Sequence, residues 1–148
     1  MRAIVQRVSS ASVSVDGEVV GRCGKGLLAL VGAHKDDTDL SAAKLADRIA
    51  GMRIFDDGEG KMNLALCDVE ASGAQVLAVS NFTVFGDALK SRRPSFMESA
   101  PYEEAEKLFD KFVSELRQRE IDVQTGVFGE MMQVELCNDG PVTLVIDC

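Results

Sequence analysis

The chain has 148 residues, 46% hydrophobic and 27% charged, with a formal net charge of −8. That suffices for one domain, spanning residues 1–148, with its own core, and is too acidic for a protein that wraps duplex nucleic acid on a basic face. No apolar run approaches the ~20 residues that span a bilayer, and the first segment is polar by Gln6, so a cytoplasmic protein without a membrane anchor is expected.

Arg2 to Val8 and Ser12 to Val15 read as strands, and Asp16-Gly17 is a hairpin signal leading into Glu18-Val19-Val20. Gly26 to Ala33 holds the uncharged run Leu27-Leu28-Ala29-Leu30-Val31 and predicts a strand buried on both faces. The period then changes. Ala42, Leu45, Ile49 and Met52 share one face of a helix that Thr38 or Asp39 can cap. Arg53-Ile54-Phe55 reads as a short strand and Asp56 to Lys61 as a loop, without the ligand spacing of a calcium hand.

Gln75 to Phe82 predicts a further core strand, followed by a polar loop through Gly86, Lys90, Arg92, Arg93, Pro94 and Phe96. A second helix should begin near Ser99-Ala100-Pro101, with Ser99 as cap and Ala105, Leu108, Phe109, Phe112 and Leu116 as its buried stripe. Ile121 to Thr125, the run from Met131 to Leu136, and Val142 to Ile146 read as strands. Asn138-Asp139-Gly140-Pro141, between the last two, has the residues of a turn. Seven or eight strands, many consecutive, with two main helices give an α+β chain whose helices pack on a mixed or antiparallel sheet.

The residues that could carry chemistry are few. Four scattered cysteines without a C-x-x-C pair suit small hydrophobes, not disulfides or zinc ligands. The one histidine, His34, reads as a surface residue at a strand end, so no triad can be drawn and no metal or cofactor is expected. Ser80 and Thr83, at the end of a core strand, ordinarily bond nearby backbone. Such groups are suited to positioning a substrate and stabilising an oxyanion, the latter through backbone N–H groups near Phe82 and Thr83.

Several segments in order carry a resemblance. They are Ile4-Val5-Gln6-Arg7-Val8 with Ala11-Ser12-Val13; Arg53-Ile54-Phe55 with Gly60-Lys61-Met62-Asn63; Ser80-Asn81-Phe82-Thr83; Arg93-Pro94-Ser95-Phe96; and Gln124 to Met132 running into Asn138-Asp139-Gly140-Pro141-Val142-Thr143. Together they resemble the D-aminoacyl-tRNA deacylases nearly end to end. One departure stands out: Asn81 occupies the place of a Gln in the family's Ser-Gln-x-Thr motif, offering the same amide on a stem one methylene shorter.

The resemblance implies the deacylase fold and hydrolysis of the ester between a D-amino acid, or glycine mischarged on tRNA-Ala, and the 3′ end of tRNA. It implies Ser80, Phe82 and Thr83 at the reacting centre, with Asn81, Phe96, Met132, Gly140 and Pro141 binding substrate. It also implies a homodimer in which a cis Gly140-Pro141 bond enters the partner's pocket and excludes L side chains. The rival readings are an editing domain for misattached L-amino acids and a non-catalytic RNA-binding module.

Overall fold

A computed structural model describes residues 1–69, 73–89 and 91–148; Lys90, expected in the polar loop, lies outside them. The elements in chain order are β1 (Arg2–Val15), β2 (Glu18–Cys23), β3 (Gly26–Gly32), α1 (Asp39–Ala50), β4 (Phe55–Asp56), β5 (Met62–Leu64), α2 (Leu66–Val69), β6 (Gln75–Ser80), a 3-10 turn (Phe82–Phe85), α3 (Tyr102–Arg117), β7 (Asp122–Thr125) and β8 (Gln133–Asp147). The fold is α+β, as expected from the sequence.

The main sheet runs β2-β1-β3-β6-β7, with β8 paired to the other edge of β1, while β4 and β5 form a separate ribbon. β1 lies antiparallel to β2, β3 and β8; β3–β6 and β6–β7 are parallel.

Parallel strands need cover on both faces. Leu27, Ala29 and Val31 of β3, with Val76 and Ala78 of β6, face α1 and α3, where Leu45, Ile49, Phe112 and Leu116 meet them. The alternate residues Leu28, Leu77 and Val79 join Val8, Val13 and Cys23 on the opposite face. The uncharged run therefore reads correctly as a strand buried on both sides. Burial pushes the Cys23 thiol up from its ordinary pKa, as suits a packing residue.

Thr38 caps α1, and its N–H donates to Ser41 Oγ at 3.3 Å. The second helix differs from expectation at its start. Pro101 takes the cap position, and Ser99 Oγ donates instead to the Phe82 carbonyl at 3.0 Å.

Two other expectations are corrected. β1 is one strand, because β8 pairs with it across Ser10-Ala11-Ser12 and the break in apolar alternation is absorbed as a register shift. β8 is likewise one strand, running from Ser14↔Gln133 to Arg2↔Asp147. The residues read as a turn, Asn138 to Pro141, form a bulge where Gln6 pairs with Thr143 and Val8 with Asn138. β1 is long enough to hold both arms, so they stay collinear.

Phe112 is fully buried between sheet and helices. Phe112→Ala should lower the unfolding free energy by about 3–5 kcal/mol, read from equilibrium denaturant unfolding.

Candidate active site

A cavity of about 920 Å³ opens beyond the C-terminal end of β6. Its floor is the second sheet face, with Leu28, Leu30, Val79, Val134 and Leu136. Ser80, Asn81, Phe82 and Thr83 form one side, Phe96 and Ser99 another, and Tyr102, Phe109, Phe128 and Met132 a third. The segments that bear the resemblance thus contribute unequally: Gln6, the strand-end motif, Phe96 and Met132 converge, whereas Gly140 and Pro141 do not line this chain's cavity.

The strand-end motif folds locally for a clear reason. Asn81 N–H donates to the Val31 carbonyl at 2.8 Å, continuing the β3–β6 pairing by one residue. Its side-chain Oδ1 then accepts the Thr83 N–H at 3.0 Å and the Thr83 hydroxyl at 2.5 Å, capping the 3-10 turn. Asn and Asp close this i to i+2 contact well, and the longer Gln does not. The sequence expectation of open N–H groups at both Phe82 and Thr83 is therefore corrected for Thr83, whose amide is already bonded. Phe82, as the first residue of the turn, has no N–H acceptor within it.

Close approach is built in beside the motif. A Cβ on Gly32 would stand 2.4 Å from Val84 Cγ2 and 2.9 Å from the Asn81 carbonyl oxygen, so only glycine lets the turn sit on the end of β3. The Phe82 and Phe96 rings meet edge to face at 5.2 Å between centroids. Tyr102 and Phe128 do so at 5.1 Å on the third side.

The Gly140-Pro141 segment is positioned by a residue that the sequence reading passed over. Arg7 is buried on the inward-facing alternation after Ala3 and Val5. Its Nε donates to the Asp139 carbonyl at 3.2 Å and Nη1 to the Ile54 carbonyl at 2.6 Å, with Asp56 and Asp139 carboxylates each at 3.3 Å. A charged residue where the strand period calls for an apolar one was the available signal. Asn138 Nδ2 clips the bulge shut, donating to the Arg7 and Val142 carbonyls at 2.8 and 3.0 Å.

Gly140 has φ +112°, a conformation that glycine adopts readily, and the Gly140–Pro141 bond is trans, not the cis bond expected from the resemblance. Reversal at Gly140 and the Asn138 clip shape the bulge with the more stable proline isomer.

Among the described residues no group of three His, Cys, Asp or Glu side chains is placed to hold a metal. Among the described residues the cavity wall has no His, Cys, Lys or Asp, and Glu130 is its one carboxylate. Arg92 and Arg93 are exposed on the loop before Phe96. No helix among the described residues is long and apolar enough to cross a membrane.

Residues 4–147 match the family model described as D-Tyr-tRNA(Tyr) deacylase. A protein of Desulfitobacterium hafniense named D-aminoacyl-tRNA deacylase is 53% identical over 147 residues, covering 99% of this chain and 97% of that one. One of Bacillus velezensis with the same name is 50% identical, covering 99% and 98%. Among solved structures, the c-Myc DNA Unwinding Element Binding Protein superposes with a TM-score of 0.91 at 36% identity, over 100% of this chain and 99% of that one. A probable eukaryotic D-amino acid tRNA deacylase shares the fold at a TM-score of 0.81 and 19% identity, over 99% and 98%.

The Asn81 cap yields a measurable expectation. Asn81→Gln should lose the cap and lower thermal stability by roughly 0.5–2 kcal/mol, whereas Asn81→Asp should keep the acceptor and remain within about 0.5 kcal/mol of the parent. Differential scanning calorimetry of the two variants against the parent checks it.

Proposed function

The chain belongs to the D-Tyr-tRNA(Tyr) deacylase family, and on that premise we propose that its cavity takes the 3′ end of a D-aminoacyl-tRNA and hydrolyses the ester. Deacylation of D-aminoacyl-tRNA, a hydrolase activity, is what the full-length relatives are named for. The observation that carries the reading at the level of this chain is the convergence of Ser80, Asn81, Phe82, Thr83, Phe96 and Met132 on one cavity.

An aminoacyl ester is already reactive, and the ribose hydroxyl beside it can orient the attacking water. Such a reaction needs positioning and oxyanion stabilisation more than a strong base. In the proposed mechanism the Phe82 N–H faces the developing oxyanion, and Thr83 orients the carbonyl or water once substrate competes for Asn81. Ser80 completes the polar rim. A hydroxyl is a poor base, so Thr83 acts by position. Phe96 and Met132 hold the aminoacyl end, with no cofactor.

Chiral discrimination is proposed to come from a second copy. Gly140 and Pro141 are exposed on the β8 bulge and stand outside their own cavity. β8 pairs only with β1 among the described strands and shows Leu136, Leu144 and Val145 at its surface, Val145 being 64% exposed. Docking of this edge in a homodimer would bring the rigid Gly140-Pro141 backbone to the partner's cavity, where it blocks an L side chain. Glycine has no Cβ to exclude, so glycyl-tRNA, including tRNA-Ala mischarged with glycine, is a proposed substrate too. Translation quality control in the cytoplasm follows from that chemistry. One relative's name refers to DNA; the net charge of −8 weighs against a duplex-binding role here.

Hydrolysis of matched D-tyrosyl-, L-tyrosyl- and glycyl-tRNA tests the reading. The parent should hydrolyse the D and glycyl esters and spare the L ester; equal rates on D and L would overturn the chiral wall, and so would full activity in a monomer. Thr83→Ala should lower kcat/KM roughly ten- to a hundredfold, the cost of one hydrogen bond in the transition state. A trapped aminoacyl–Thr83 adduct would replace positioning with covalent catalysis.

A further inference from the structure

The cavity wall that carries Phe96 is the return leg of a loop, and a carboxylate outside the cavity pins that leg. Glu98 does not line the cavity. Its oxygens meet two different side chains from the segment after β3: Oε2 lies 3.0 Å from His34 Nε2, and Oε1 accepts from Lys35 Nζ at 3.0 Å.

The backbone of the same residues is zipped together. Lys35 N–H donates to the Glu98 carbonyl at 3.0 Å, Ala100 N–H donates to the Ala33 carbonyl at 2.9 Å, and His34 and Ser99 form an antiparallel bridge. The neighbours of Glu98 point into the site. Phe96, two residues earlier, packs on Phe82, and Ser99 holds the Phe82 carbonyl. The loop's outgoing leg is held by the reciprocal Asp87–Ser95 backbone pair at 2.8 and 2.9 Å.

His34 is oriented for this contact. The Asp36 N–H donates to its Nδ1 at 3.2 Å, which leaves the proton of a neutral ring on Nε2, facing Glu98. The Asp36 carboxylate lies 3.6 Å from Nδ1, and the Phe85 ring centroid 5.4 Å from that of His34. Lys35 first, and then His34, hold the Glu98 carboxyl below its ordinary pKa. Glu98 is therefore a carboxylate at neutral pH, and on the acid side its contacts are lost as pH falls through that lowered value.

We infer that Glu98 is a positioning residue for the aminoacyl end: joined to both His34 and Lys35, it sets where Phe96 and the Ser99–Phe82 contact stand, and so how tightly substrate is held. The inference rests on the cavity being the aminoacyl-tRNA site. All three side chains are partly exposed, so each contact has a modest effect on binding.

The test uses Glu98→Ala, Lys35→Glu and the charge exchange Lys35→Glu with Glu98→Lys. Steady-state hydrolysis of D-tyrosyl-tRNA and amide hydrogen exchange at Lys35 and Ala100 are the readouts. Each single substitution should raise KM roughly three- to tenfold and leave kcat within about twofold, as expected for a lost binding contact. Both amides should exchange faster. The charge exchange restores the pair with position 35 but leaves His34 Nε2 without its acceptor, so KM and protection should recover in part, to values between those of the single variants and the parent. Unchanged KM in Glu98→Ala, or a charge exchange that rescues neither readout, overturns the proposal. So does a loss of melting temperature with KM unmoved, which marks Glu98 as a stabilising residue only. If the parent fails to hydrolyse D-tyrosyl-tRNA, the reading of the cavity is what fails. Exchange at Lys35 and Ala100 still decides the latch, which unchanged protection in Glu98→Ala would refute.

Discussion

The parallel pairing of β3 with β6 is the constraint on which the rest of the molecule depends. Neither strand can leave a face in water, since both carry apolar side chains in alternation on both sides. α1 and α3 cover one face with Leu45, Ile49, Phe112 and Leu116. The other face is covered by β1 and β2 residues such as Val8, Val13 and Cys23, and by Met132 and Val134 from the end of the chain. That second cover is incomplete toward the C-terminal ends of the strands, and the cavity is the uncovered part. The Ser80 to Thr83 motif stands there because the Asn81 N–H is the last rung of the pairing. A site suspended from the most buried strands inherits their rigidity, which is what a reaction limited by geometry requires.

Arg7 solves a second problem at the far edge. A guanidinium at 6% exposure would be costly if its donors were unpaired. Two backbone carbonyls, Ile54 and Asp139, and the carboxylates of Asp56 and Asp139 meet it. The ion pairs reach outward to half-exposed aspartates, so much of their charge remains solvated. The outcome is a buried cation that ties the β4 region to the β8 bulge and packs against Gly140, where a Cβ would stand 2.6 Å from Nη2. An apolar residue at position 7 could fill the space but could not orient the bulge.

Elements whose signal is local were legible in the sequence. The Leu27 to Val31 run and the apolar stripes of the two main helices follow from residue type and spacing, and the structure decides for Thr38 between the two caps, Thr38 and Asp39, that the sequence offers. Ser80, Phe82, Phe96 and Met132 could be nominated only as members of linked motifs, and the fold brings them together. What escaped depended on partners far along the chain. β8 is one strand because β1, over 100 residues earlier, extends far enough to pair both arms. Ser99 looks like a helix cap by spacing, but the Phe82 carbonyl claims its hydroxyl and Pro101 takes the cap position. The trans Gly140–Pro141 bond and the burial of Arg7 belong to one bulge whose shape no local window encodes. The use of Asn81 was legible as a departure from the family, while its consequence, occupation of the Thr83 donors, needed coordinates.

The composition of the cavity wall carries the mechanistic argument further. Among the described residues it offers aromatic and aliphatic surface, the hydroxyls of Ser80, Thr83, Ser99 and Tyr102, the amides of Gln6 and Asn81 and a lone carboxylate, Glu130, with no imidazole, thiol or lysine side chain. A wall of this kind is suited to holding atoms in place more than to supplying a matched acid and base. Control then passes to residues that fix the walls: Gly32 and Asn81 beneath the 3-10 turn, Gly86 behind the Phe96 ring, and the strand-end segment 33–35 that grips the returning loop. These side chains and glycines lie at the ends of β3 and β6 or just beyond them, on the same rigid edge. For an ester that hydrolyses readily on its own, the selective problem is exclusion of the wrong substrate, and a geometric site on a rigid edge is a physical answer to it.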